Sequence, residues 1–106
     1  MMVESKIEFA IEIIPKCIKQ YKKLTKKDIV LEKITESLIQ ELKENPYLGE
    51  ELHTNFDGWR SIHYHGNKYR IIYKIEHEPF PKIIILCIGH RKNAYSDLAK
   101  FLGMGF

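Results

Sequence analysis

Two arginines and a tyrosine stand where the apolar patterning of the chain places strands and a helix start. Arg70 lies in Tyr69-Arg70-Ile71-Ile72-Tyr73. Arg91 and Tyr95 lie in Ile88-Gly89-His90-Arg91-Lys92-Asn93-Ala94-Tyr95, which closes the near-continuous apolar run Ile83 to Ile88. Arginine is always charged and presents a planar fork of donors that matches a phosphate. Two strands that each deliver an arginine to a small sheet predict a surface that handles a phosphoryl group. The competing reading is a pair of surface ion pairs, with Glu76 and Asp97 as available partners.

Proton transfer at such a surface needs a group that titrates near neutrality, and histidine does so with an ordinary pKa of about 6.5. His63 is the first candidate. If Ile62 and Tyr64 face the core, strand alternation puts Ser61, His63 and His65 together on the other face. His90, beside Arg91, is the second candidate for proton transfer, or else it bonds to backbone and shapes the turn. Ser61 can donate a hydrogen bond to phosphate, and Arg60 and Lys92 extend the binding surface. Tyr95 can move a proton, stack on a base, or pack the last helix on the sheet. Trp59 and Tyr64 can stack too, although aromatic residues on strands usually fill cores.

The elements that must position these groups follow from periodicity. Ile7, Phe9, Ile11 and Ile13 alternate with Glu8, Ala10 and Glu12, which predicts a half-buried strand over 6–14. Pro15 ends it and suits the first turn of a helix, where its missing N–H is not needed. Ile18, Tyr21 and Leu24 then recur at helical spacing, with Lys16, Lys19, Lys22 and Lys23 on the wet side. With Lys26 and Lys27 they form a basic stripe, read mainly as a solvated helix face. Thr25, followed three residues later by Asp28, predicts the cap of a second helix. Its apolar stripe Leu31, Ile34, Leu38 and Leu42 runs down to Asn45-Pro46. After a loop over 47–58 come three strands, 59–64, 69–76 and 82–90. The turn His65-Gly66-Asn67-Lys68 joins the first two, and the proline-rich Glu78-Pro79-Phe80-Pro81 joins the last two. The final strand is apolar on both faces and so belongs in the middle of the sheet. A last helix is predicted over 94–102, led in by Lys92 or Asn93. The result is an α+β fold of order β-α-α-β-β-β-α: a small, mostly antiparallel sheet, an N-terminal helical hairpin packed on it and a short C-terminal helix.

Length and charge set the outer bounds. A chain of 106 residues suits a single domain over 1–106 with one modest core. Residues 1–50 hold nine lysines and nine acidic residues, which cancel. Residues 51–106 hold eight Lys and Arg against five Asp and Glu, and all five histidines, so the net charge of +3 belongs to the second half. That placement favours an anionic partner there. No apolar run is long enough to span a bilayer, and acidic residues interrupt the N-terminal apolar pattern, so no membrane association and a cytoplasmic location are expected. Cys17 and Cys87 lack metal-ligand spacing and read as buried free thiols. No metal and no cofactor are expected.

These strings, in this order, resemble the RelE/ParE superfamily of toxins from type II toxin–antitoxin systems. The resemblance covers nearly the whole chain and rests on Glu44-Asn45-Pro46-Tyr47-Leu48-Gly49, Tyr69-Arg70-Ile71-Ile72-Tyr73 and Ile88-Gly89-His90-Arg91 followed by Tyr95. For the RelE-like branch it implies a ribosome-dependent mRNA endonuclease (an mRNA interferase) working in the ribosomal A site. The 2′-hydroxyl attacks the adjacent phosphodiester, without metal, and a cognate antitoxin neutralises the toxin. The toxin–antitoxin complex would bind operator DNA through the antitoxin. Carried onto this sequence, the implied catalytic residues are Arg70, Arg91 and Tyr95. The branch has two lysines on the preceding strand that fall here on Ser61 and His63, a departure that shifts proton transfer toward His63. The alternatives within the superfamily are a ParE-like inhibitor of DNA gyrase with no nuclease activity, and an inactive homologue acting only in complex with its antitoxin.

Overall fold

The computed structural model describes residues 8–53, 56 and 58–103. Strand β1 (Ala10–Ile13) leads into helices α1 (Pro15–Thr25) and α2 (Ile29–Glu44). A two-residue strand β2 (Glu50–Glu51), then β3 (Trp59–Tyr64), β4 (Tyr69–Glu76), β5 (Lys82–His90) and helix α3 (Arg91–Phe101) complete the chain. The α+β order predicted from the sequence holds, with β2 as an addition inside the segment expected to be loop. Lys6 and Ile7 of the expected first strand lie outside the described residues.

The strands form one sheet in the order β1-β5-β4-β3-β2. Its pairs are antiparallel except β1 with β5, where a parallel register sets Ala10 against Lys82 and Ile13 against Ile85. The doubly apolar β5 is interior, between β1 and β4, as its composition requires. Helices cover both faces. Ile71, Tyr73, Ile83, Ile85 and Ile88 pack with Cys17, Leu31 and Leu42 from the helical hairpin. Ile72, Leu86 and Cys87 pack with Ala94 and Leu98 of α3 on the opposite face. A register shift opposite Ile72/Tyr73 puts one extra residue into β5. That bulge lets the consecutive residues Leu86 and Cys87 both join the α3 core, which strict alternation forbids.

Local chemistry places the helix ends, and in three places it differs from the sequence reading. Pro15 stands in the first turn of α1 as expected. The cap of α2 is not Thr25 but Asp28, whose side chain accepts the Leu31 N–H at 3.0 Å. Thr25 is instead the buried last residue of α1 and donates to the Tyr21 carbonyl at 2.8 Å, so its hydroxyl is already engaged. The buried stripe of α1 starts at Cys17, fully buried, and not at Ile18, which is 37% exposed; Cys17, Tyr21 and Leu24 share one face at i, i+4 and i+7. Helix α3 begins at Arg91, earlier than expected, because the His90 side chain caps it: Nδ1 accepts the Lys92 N–H at 3.2 Å. Among the described residues no helix is long and apolar enough to cross a membrane.

Candidate functional site

Cross-strand register assembles the site. His63 is the direct partner of Arg70, Ser61 of Ile72, and Arg70 of Gly89. Ile72 lies in the core beneath α3, so alternation puts Ser61, His63 and Arg70 on that same face. Ser61 and His63 share this face as alternation requires, and register adds Arg70; His65, expected with them, instead lies in the turn at φ 53° with its ring 5.8 Å from that of Tyr69. Gly89 contributes no side chain beside Arg70, and a Cβ there would make ordinary contact with Cys87 Sγ at 3.7 Å.

The environments of these three differ. His63 is exposed, while Ser61 and Arg70 are 1% and 7% exposed. Arg70 was expected to reach outward. Its Nη1 instead donates to the carbonyls of Asn67 at 2.9 Å and Tyr69 at 3.1 Å, which braces the β3–β4 turn. Its Nε is buried and has no partner, and neither has Ser61 Oγ. Unpaired buried donors are costly, and more so on a charged group. An acceptor, such as an anion, would satisfy either group.

Among the described residues, no ion pair involves Arg70 or Arg91. The ion pairs among the described residues are Lys74–Glu76, Lys82–Glu12 and Lys82–Glu76, at 3.7 to 3.9 Å. Glu76 is thus engaged by lysines, and Asp97 faces the Cys87 thiol at 3.8 Å. Arg91 opens α3 with an exposed side chain, and its backbone N–H donates to the Lys68 carbonyl at 2.8 Å, which ties the β5–α3 junction to the β3–β4 turn. Lys92 is exposed beside it. His90 pairs with Tyr69, one residue out of phase with Arg70, and so belongs to the opposite face. Its alternative role as a backbone acceptor that shapes the turn is realised in the α3 cap.

Tyr95 is half-buried and stacks on Phe56, with ring centroids 6.5 Å apart at 24°. Packing and availability to a ligand are both present. Sequence reasoning missed Phe56, because a lone aromatic in a polar loop gives no periodic signal. Arg60 is a correction. Its Nε and Nη2 both donate to the Gly49 carbonyl, at 3.0 and 2.7 Å, and its guanidinium lies over the Tyr47 ring at 5.3 Å. It pairs with Tyr73 and so faces away from Arg70; the loop after α2 occupies it. Trp59 and Tyr64 are core, at 7% exposure each. Burial pushes the Cys17 and Cys87 thiols up to about 12, which makes them poor nucleophiles at neutral pH. Among the described residues no group of three or more His, Cys, Asp or Glu is placed to hold a metal ion.

Against this geometry, comparison with known proteins gives a consistent answer on fold. A chain of the toxin–antitoxin complex RelBE2 from Mycobacterium tuberculosis superposes with a TM-score of 0.67 at 22% identity, covering 80% of this chain and all of that one. A YoeB/ParE toxin from Agrobacterium tumefaciens gives 0.69 at 15% identity, over 78% of this chain and 99% of its own. A mutant of the E. coli toxin RelE in the free state gives 0.66 at 18% identity, over 90% and 98%. At these identities the likeness is one of fold. No curated protein matches the sequence. The family model for the ParE toxin of type II toxin–antitoxin systems, parDE, matches residues 11–95, from β1 to Tyr95 in α3. The chain therefore belongs to the ParE toxin family and is a toxin of a type II toxin–antitoxin system.

Proposed function

We propose that this toxin acts on RNA, as a ribosome-dependent mRNA endonuclease that uses the 2′-hydroxyl as nucleophile. The observation that carries the reading is the cross-strand pair His63–Arg70: an exposed imidazole beside a guanidinium whose Nε has no protein partner. In the proposed reaction the 2′-oxygen bonds to phosphorus and the bond from phosphorus to the 5′-oxygen breaks. The products are a 2′,3′-cyclic phosphate and a 5′-hydroxyl. His63 takes the proton of the 2′-hydroxyl. Arg70 and Arg91 neutralise the phosphoryl oxygens, and Ser61 Oγ supplies a further donor. Preorganised charge of this kind usually gives the largest contribution to rate. Tyr95, on its Phe56 support, donates the proton to the leaving 5′-oxygen, and its ring stacks on a base. His90 and Lys92 lie at the edge of the substrate path.

A cognate antitoxin is the proposed cellular partner, and the complex would reach operator DNA through it. Antitoxin is present in the RelBE2 complex and in a RelE mutant bound to a RelB peptide. The second reading, inhibition of DNA gyrase without nuclease activity, is favoured by one specific finding: the matching family model is that of ParE. Pulsed expression without antitoxin separates the two. New RNA 5′ ends inside codons, dependent on translating ribosomes, are expected. DNA damage with intact mRNA would overturn the nuclease reading.

A further inference from the structure

Three rings stand in a row at the end of the sheet where the β3–β4 turn meets the β5–α3 junction. The His65 and Tyr69 ring centroids are 5.8 Å apart at 31°, and those of Tyr69 and His90 are 5.7 Å apart at 75°. Tyr64 anchors the row to the core from below, 6.0 Å from Tyr69. His65 is exposed, and Tyr69 and His90 are half-buried, so the row is open to solvent. Its geometry is held by the fold. Tyr69 and His90 are register partners, and His65 sits at φ 53° at the start of a turn whose next two residues also have positive φ, Gly66 at 66° and Asn67 at 65°. Histidine and asparagine enter that left-handed region more readily than most residues.

Cations flank the rings. Lys68 and Arg91 are bonded backbone to backbone at 2.8 Å, and Lys92 follows. None of the three belongs to an ion pair among the described residues. The charge around them is one-sided in the sequence as well: no Asp or Glu occurs from Gly58 to Ile75 or from Pro79 to Ser96. Partly exposed rings with cations next to them in sequence match single-stranded nucleic acid, in which bases stack and phosphates follow the charge. A solvated turn needs the lysines but gives no reason for a row of rings.

We infer that His65, Tyr69 and His90 form a base-stacking platform for single-stranded RNA, with Lys68, Arg91 and Lys92 holding the flanking phosphates. The platform faces away from the His63–Arg70 pair, across the edge marked by Arg91, and so would hold a nucleotide next to the one at that pair. It rests on the RNA reading above, and it can be tested apart from cleavage.

The test is equilibrium binding of a fluorescein-labelled 2′-O-methyl oligouridylate ten nucleotides long, which cannot be cleaved by 2′-oxygen attack. Fluorescence anisotropy is followed at several salt concentrations. His65→Asn keeps a residue suited to the turn and removes a ring; Tyr69→Leu keeps apolar bulk and removes another. Each should weaken binding about 5-fold or more, the effect of losing a base stack, with the salt slope unchanged. Lys68→Ala and Lys92→Ala should instead lower the magnitude of the salt slope by about 0.7 each. Circular dichroism of each variant separates lost binding from lost fold, and His65→Asn, on the exposed turn, decides if Tyr69→Leu unfolds. An oligonucleotide that fails to bind the wild type, or binds His65→Asn equally well, overturns the platform. Platform-dependent binding by a toxin that cuts no mRNA in cells would keep the platform and sink the nuclease reading. Cleavage with platform-independent binding would do the reverse.

Discussion

Gly49 and Tyr73 are fitted to each other across 24 residues of sequence. The Gly49 N–H donates to the Tyr73 hydroxyl at 2.8 Å, and that hydroxyl donates to the Pro46 carbonyl at 2.8 Å. A Cβ on Gly49 would lie 2.8 Å from the Tyr73 oxygen and 2.9 Å from the Ser61 carbonyl. Two of the strings that identify the family, Asn45-Pro46-Tyr47-Leu48-Gly49 and Tyr69-Arg70-Ile71-Ile72-Tyr73, are thus two halves of one contact. It pins the end of the helical hairpin to the strand that carries Arg70.

Gly49→Ala should therefore destabilise the protein by about 1–3 kcal/mol, since the clash is with backbone and a fully buried ring and not with a flexible side chain. Tyr73→Phe should cost about 1–3 kcal/mol by leaving Gly49 N–H and Pro46 C=O unpaired in a buried place. Urea denaturation measures both, and variants as stable as the wild type would remove this contact from the account of the fold.

Arg60→Ala separates structure from chemistry. Its bonds to the Gly49 carbonyl predict a stability loss of about 1–2 kcal/mol. Single-turnover cleavage on programmed ribosomes should stay within a few-fold of wild type at a temperature where the variant is folded. A loss of cleavage as large as that of His63→Ala would return Arg60 to the site.

His63→Ala should lower single-turnover cleavage by about 10²–10⁴-fold, the range for a removed proton-transfer group. The side chain is exposed, so thermal stability should shift by less than about 0.5 kcal/mol. A drop of only a few-fold would shift proton transfer to Tyr95.

Arg70 has two jobs in this account, and two substitutions divide them. Arg70→Ala should abolish toxicity and also loosen the β3–β4 turn, because the Asn67 and Tyr69 carbonyls lose their donor. Arg70→Lys keeps the charge but loses the planar fork, and should leave the protein folded with strongly reduced cleavage. Full toxicity in Arg70→Lys would show that charge alone suffices, and full toxicity in Arg70→Ala would make the residue purely structural.

Alkaline pH should destabilise the fold. Burial holds Cys17, Cys87 and Tyr64 protonated up to about 12, against ordinary values of 9.0 for the thiols and 10.0 for the phenol. Below about pH 9 folded and unfolded chains both keep these protons, and the stabilisation is fully present. Above it the unfolded chain releases protons first, so stability falls as pH rises toward 12. Tyr64 also loses its role as donor to Thr35 Oγ1, whose own proton goes to the Leu31 carbonyl. The melting temperature at pH 10 should lie about 5–10 °C below that at pH 8. Cys17→Ala should recover part of the difference, and a flat profile would contradict the burial of these groups.

The elements were legible because their signals are local. The alternation before Pro15, the stripe from Leu31 to Leu42, the turn at His65-Gly66-Asn67-Lys68 and the doubly apolar β5 each lie within a window of a few turns or residues. The errors are local too. Thr25 and Asp28 both suit a cap, and what decides between them is that Thr25 ends α1, with its hydroxyl bonded to the Tyr21 carbonyl. The α3 start differs from the periodicity because histidine is a rare cap, and its use depends on where β5 ends. For the site, alternation put Ser61 and His63 on one face; cross-strand register added Arg70, and the turn geometry at His65 removed the third expected member. Nothing local distinguished Arg60 from Arg70, which are both strand arginines among apolar neighbours.

The sequence by itself determined the fold class, the basic second half and the family strings, because periodicity, charge and turn chemistry are properties of neighbouring residues. Tertiary structure decided which arginine is committed to what. Arg60 is taken by the Gly49 carbonyl, the Nε of Arg70 is left unpaired, and Glu76, the acidic residue expected to pair with an arginine, is engaged by Lys74 and Lys82. Burial and partner choice are set by groups distant in the chain, across a register and a bulge that no short window records. The aromatic row of His65, Tyr69 and His90 became visible for the same reason: its members come from a turn and two strands that meet only when the sheet is formed.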